Sequence, residues 1–110
     1  MSVHVHETDV LADPGKGCLE GLLIGSPHGA LRGFCMGVAV YDQIEYNPPG
    51  VHDDQEGFYV LEGSGMARVG DEEFEIRPGS AFIAAKGVPH AMKRHPDSGP
   101  IRVLYAHGAV

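Results

Sequence analysis

Cysteine is scarce in this 110-residue chain. Cys18 and Cys35 are the only two, too few for a disulfide framework, and they read as reduced thiols of a cytoplasmic protein. Basic residues are outnumbered, with 8 Lys and Arg against 15 Asp and Glu, for a formal net charge of −7. An acidic chain repels phosphate backbones, which argues against a nucleic-acid partner. Long apolar runs are missing too. The longest uncharged one, Gly21 to Leu31, is broken by Pro27 and ended by Arg32, well short of the roughly 18–20 apolar residues of a membrane span. The N-terminus, MSVHVHETD, has neither a basic start nor an apolar core, so no secretory signal is read there.

Glycine and proline, in contrast, are abundant. There are 16 Gly and 8 Pro, and between Pro14 and the C-terminus the longest stretch free of both is Val38 to Asn47. Helices usually need about 10–12 uninterrupted residues, so short strands divided by turns are expected instead. The intervals are rich in Val, Ile, Phe and Tyr: Phe34–Tyr41, Phe58–Leu61, Phe74–Ile76 and Ile101–Tyr105. Gly70-Asp71 reads as a two-residue hairpin turn between Met66–Val69 and Glu72–Arg77. Pro78-Gly79 then turns the chain into Ala81–Ala85. The expectation is a single all-β domain over residues 1–110, with 1–15 the segment the pattern defines least, closed into a barrel or double sheet that hides its strand edges. Glycines at 17, 21, 25, 29, 33 and 37 recur every fourth residue. Pro27 and the charges at Glu20 and Arg32 interrupt that series, so it reads as turn glycines, with an irregular loop from Gly25 to Gly33.

Seven histidines offer chemistry: His4, His6, His28, His52, His90, His95 and His107. His4 and His6 share one strand face by spacing but lie in the terminal segment. His52 and Glu56 are four residues apart, about 13 Å along a straight strand, too far to share an ion. A turn at Asp53–Gln55 would bring them face to face across a hairpin. Further on, Gly79-Ser80-Ala81-Phe82-Ile83-Ala84-Ala85-Lys86-Gly87-Val88-Pro89-His90 ends a strand with a glycine turn and a proline-fixed entry into His90.

Together these two stretches resemble the cupin superfamily, whose first motif is G-x5-H-x-H-x3,4-E-x6-G and whose second is G-x5-P-x-G-x2-H-x3-N. Glu56 and Gly63 fit the end of the first, and Gly79, Gly87 and His90 fall in register with the second. The likeness runs from about Gly50 to Arg94 and implies a double-stranded β-helix, or jelly-roll barrel. It carries three of the family's four metal ligands onto this chain: His52, Glu56 and His90. Gly50 stands in place of the first motif's leading histidine, Ala85 in place of the second motif's proline and Arg94 in place of its asparagine. Two histidines and a carboxylate suit one divalent ion, Fe, Zn, Mn or Ni, with Asp54 able to supply the missing contact from the turn.

If His90 points inward, strand alternation sends Met92 and Arg94 the same way, and Glu56 sends Phe58. Phe58, Met92 and Arg94 are therefore the expected substrate contacts, Arg94 for an anionic group. Tyr41, Tyr46 and Tyr105 offer hydroxyls that spacing does not rank. The implied function is metal-dependent chemistry of dioxygenase, isomerase or lyase type on a small anionic or sugar-like molecule. The alternative is a non-catalytic, metal-free cupin that binds a small ligand. The family habit of pairing barrels, with uncharged Tyr59 and Leu61 facing away from the pocket, implies a homodimer.

Overall fold

The computed structural model describes residues 3–10 and 21–110; Gly17 and Cys18 fall outside them. A short helix α1 (Glu7–Val10) comes first, followed by eight strands: β1 (Leu22–Ile24), β2 (Cys35–Tyr41), β3 (Gln55–Glu62), β4 (Gly65–Val69), β5 (Glu72–Ile76), β6 (Ala81–Ala84), β7 (His90–Arg94) and β8 (Ile101–Gly108). Among the described residues no helix is long and apolar enough to cross a membrane. The loop expected from Gly25 to Gly33 holds one 3-10 turn, Ser26–His28, and Gly21, Gly29 and Gly33 of the four-residue series all have positive φ.

The strands form two antiparallel sheets, β1-β2-β8-β3-β6 and β5-β4-β7. This is the jelly-roll arrangement that the sequence implies. The hairpin between β4 and β5 turns at Gly70-Asp71, with Gly70 at φ +58°, a conformation that glycine adopts at no steric cost. At the end of β3, Gly63 has φ +80°, and a Cβ there would stand 2.4 Å from the carbonyl oxygen of Pro100.

Alternation decides what faces inward. On β3, Glu56, Phe58 and Val60 are buried while Tyr59 is exposed. On β8, Ile101, Val103, Tyr105 and His107 are all buried. Val60, Ile76, Met92, Ile101 and Val103 are completely enclosed and form the centre of the core. Tyr59 and Ile83 stand exposed on the outer face of the five-stranded sheet, at 47% and 57%. On β8, Arg102 is paired with Glu7 of α1.

The segment before β3 differs from the expected hairpin. Gly50 forms an antiparallel bridge with His90, its N–H donating to the His90 carbonyl at 2.9 Å and its carbonyl accepting from the His90 N–H at 3.0 Å. Gly87 N–H donates to the His52 carbonyl at 2.9 Å. Residues 50–52 therefore lie along the β7 side of the three-stranded sheet. Asp53-Asp54 carries the chain across to β3 in the other sheet. His52 and Glu56 thus meet between two sheets rather than across one hairpin.

Candidate metal centre

Among the described residues, three buried polar or charged ones, Glu56, His90 and His107, stand out in the interior, at 7%, 8% and 4% exposure. Each is an inward position of a strand, from β3, β7 and β8 respectively. His52 joins them from the crossing segment. Glu56 Oε1 lies 3.3 Å from His52 Nε2 and 3.3 Å from His90 Nε2. These three residues offer ligand atoms all within 4.8 Å of one another. The convergence expected for His52, Glu56 and His90 is thus present in the structure.

The chemistry of this arrangement is unusual for a protein interior. Glu56 Oε1, His90 Nδ1 and His107 Nε2 are all buried, and none has a hydrogen-bond partner. Buried polar atoms in native proteins are almost always satisfied, and leaving one bare costs about 1–3 kcal/mol. Glu56 Oε1 stands between His52 Nε2 and His90 Nε2, and a carboxylate oxygen with two imidazole nitrogens at this spacing is a donor set that Zn²⁺ or Fe²⁺ takes up. The residues fit a divalent ion.

Gly50 behaves as the motif register requires. It has no positive φ, and a Cβ built on it would stand 3.2 Å from His90 Nε2 and 3.6 Å from His52 Nε2. A side chain at this position would point into the cluster. What Gly50 lacks is only the side chain.

His107 is the site residue that the sequence reading missed. Its Nε2 lies 3.2 Å from Glu56 Oε2, and its Nδ1 lies 3.0 Å from both oxygens of Asp54. Asp54, expected as a replacement ligand, instead holds His107. The available signal was alternation: extending Ile101, Val103 and Tyr105 by two residues reaches His107 on the same face. His4 and His6 are not part of the cluster; the His6 ring bonds the Thr8 hydroxyl at 2.8 Å.

The expected substrate contacts lie elsewhere. Arg94 turns away from the cavity, against expectation. Its guanidinium donates to Asp42 Oδ1 at 3.1 Å and to the Ser98 carbonyl at 2.9 Å. Arg94 is the last residue of β7, where the acidic residue and loop carbonyls at the strand end capture it. Met92 is enclosed in the core, and Phe58 stacks on Phe82 at 4.7 Å with its ring 5.4 Å from that of His90. Both pack beneath the site rather than line its cavity. That cavity, about 180 Å³, is bounded by Tyr41, Asn47, Gly50 and Tyr105 around His52, Glu56 and His90. A wider, more open cavity of about 560 Å³, bordered by Arg32, Val51 and Asp53, reaches the same His52 and His107 from the other side. Tyr46 sits outside both, bonded to Glu73 beneath the Lys93 ammonium.

The fold and this cluster define a small β-barrel with a buried His/Glu group of a kind that could hold a metal ion. The sequence profile of the cupin domain matches residues 38–107, and the chain belongs to the cupin family. No curated protein sequence matches it. Among solved structures, it is similar to the polyketide cyclase RemF from Streptomyces resistomycificus at 28% identity. That match covers 97% of this chain and 80% of RemF, with a TM-score of 0.69. A cupin protein from Bacteroides fragilis, BF4112, shares the fold at 19% identity, a TM-score of 0.67, and coverage of 89% and 86%. The iron(II) form of HppE in complex with substrate shares it at 17% identity and a TM-score of 0.63. There 86% of this chain is covered, and it spans 56% of the HppE chain.

Proposed function

We propose that His52, Glu56 and His90 hold one divalent metal ion, and that the protein acts on a small molecule offering oxygen donors to that ion. The observation that carries this reading is Glu56 Oε1, buried, without a hydrogen bond, and 3.3 Å from an imidazole nitrogen on either side. A bound divalent ion supplies Lewis-acid polarisation of a ligand oxygen, or an O₂-binding centre if the ion is iron. The chain's own residues do the rest. His52, the most exposed of the three, faces both cavities and so stands where a ligand enters. Phe58 and Phe82, stacked beneath His90, keep water from the underside. Tyr41, Tyr105 and Asn47 border the small cavity and supply its polar wall.

With Arg94 committed to Asp42 and Ser98, any preference for an anionic group would rest on the metal, which favours a carboxylate or enolate oxygen over a neutral hydroxyl. The likeness to a polyketide cyclase across almost the whole chain supports an enzymatic role over a purely passive binding one. Elemental analysis and Co²⁺ titration of protein purified without chelator or histidine tag test the reading. One equivalent of metal, lost in Glu56→Gln and His90→Ala, is expected. A folded protein that takes up no ion would leave the metal-free ligand-binding alternative. The homodimer belongs to the same reading, formed through the outer sheet face where Tyr59 and Ile83 are exposed. Light scattering that gives a monomer at micromolar concentration would remove it.

A further inference from the structure

We infer that His107, oriented by Asp54, is the fourth protein ligand of the metal and takes over the role that Gly50 cannot fill. This rests on the metal reading above and goes beyond the motif, since His107 lies on β8 and outside both motif stretches. Three observations support it. His107 is the most deeply buried of the polar residues in the interior, at 4% exposure. Its Nδ1 faces both oxygens of Asp54 at 3.0 Å, an arrangement that places the ring proton on Nδ1 and leaves a lone pair on Nε2. That Nε2 has no hydrogen-bond partner, although Glu56 Oε2 stands 3.2 Å away.

A lone pair aimed at a carboxylate oxygen is repulsive. A cation shared between the two turns that contact attractive. The carboxylate behind an imidazole is the usual device by which proteins fix a ligating histidine and raise its basicity. In this barrel His107 stands on the Oε2 side of Glu56, while His52 and His90 stand on the Oε1 side. His52 and His107 pack edge to face, their ring centres 5.1 Å apart. The compact set of His52, Glu56 and His90 therefore has one further imidazole at its border, already turned toward the same carboxylate. Gly50, with no side chain, lines the small cavity beside His52 and His90.

X-ray absorption of the zinc-loaded protein counts the imidazoles directly, and competition with a chromophoric chelator gives the affinity. The wild-type protein should show three imidazoles. His107→Ala and His107→Gln should each show two, with zinc affinity reduced about 100-fold or more, beyond what loss of an orienting partner alone produces. Asp54→Asn, at a half-buried turn position, should keep three and lose about 10- to 100-fold. Glutamine can still donate to Glu56, so affinity restored in His107→Gln would make His107 a positioning residue and overturn its assignment as a ligand. Two imidazoles in the wild type, unchanged in both variants, would likewise overturn it while leaving His52, Glu56 and His90 as the site. Folded wild-type protein that binds no zinc would instead remove the metal reading itself. Circular dichroism of each variant separates loss of metal from loss of fold.

Discussion

The two ends of the barrel interior are built from the same strands and differ completely in chemistry. On β3, Glu56 gives way to Phe58 and Val60; on β7, His90 gives way to Met92; on β8, the order runs from Ile101 and Val103 through Tyr105 to His107. Each step of two residues keeps the side chain inside but moves it about 7 Å along the strand. At one end the interior is Val60, Ile76, Met92, Ile101 and Val103, fully enclosed. At the other it is a carboxylate and three imidazoles with several unpartnered atoms. The first arrangement stabilises, at about 1.5–3 kcal/mol for each large apolar side chain fully buried. The second is unfavourable without something to bind. Stability and function are therefore separable along the barrel axis, and substitutions at the two ends should have opposite signatures.

The largest effect is expected at the apolar end. Ile101→Ala should lower the unfolding free energy by about 2–5 kcal/mol through lost burial and the cavity left behind. Denaturant unfolding measures this. At a temperature where the variant is still folded, its zinc affinity should stay within a few-fold of wild type. A parallel collapse of affinity would show that the ends are coupled.

The polar end should show the converse. A ligand that binds only the folded state stabilises it by about 2.7 kcal/mol at 100 times its dissociation constant. Wild-type protein should gain about that from zinc in thermal unfolding. Glu56→Gln should gain nothing, while its metal-free form keeps nearly the wild-type midpoint. A metal-free Glu56→Gln that unfolds much earlier would mean the carboxylate contributes to the fold itself.

This contrast also explains what the sequence disclosed. The turns were legible because Gly70 and Gly79 take the positive φ that other residues resist and Pro78 fixes its own φ, and the hairpin between β4 and β5 is where Gly70-Asp71 places it. Inward parity on β3 was legible from Glu56, Phe58 and Val60. The extent of β8 was not. Ala106, His107 and Gly108 lack β-branched or aromatic character, and only pairing to β2 and β3 holds them in the sheet. His107 was missed for that reason. Arg94 was misplaced for the opposite one: parity was right, but at the end of a strand Asp42 and the Ser98 carbonyl decide direction. Long-range partners cannot be read from local spacing.

A smaller effect tests whether the polar end has one ligand position to spare. Gly50→His in the His107→Ala background should regain about tenfold of the lost zinc affinity, since the backbone φ accepts a side chain and its Cβ faces His90 and His52. The 3.2 Å approach to His90 Nε2 requires a small shift of that ring, so full recovery is not expected. No recovery in a folded double variant would place Gly50 beside the cluster rather than in its coordination sphere.

The smallest effect concerns the rim that joins the two ends. Tyr46 sits on the loop between β2 and β3, the loop that also brings Asn47, Pro48 and Gly50 to the small cavity. Partial burial, with a hydrogen bond to Glu73 and its negative charge, pushes the Tyr46 phenol from 10.0 up to about 12, against a smaller opposing pull from Arg68. Because the folded-state value is raised, the neutral phenol is favoured in the native protein. Its contribution to stability is complete below about pH 10 and is lost as pH rises toward 12. Tyr46→Phe should therefore lower stability slightly near neutrality, where the bond to Glu73 is lost, and flatten the stability curve between pH 10 and 12, as chemical denaturation across that range would record. Zinc affinity at pH 7 should fall no more than a few-fold, since Asn47 holds the loop independently by accepting a bond from the Met92 N–H at 3.0 Å. A loss comparable to that of Glu56→Gln would mean that the rim, and not the buried cluster alone, sets the geometry of the metal end.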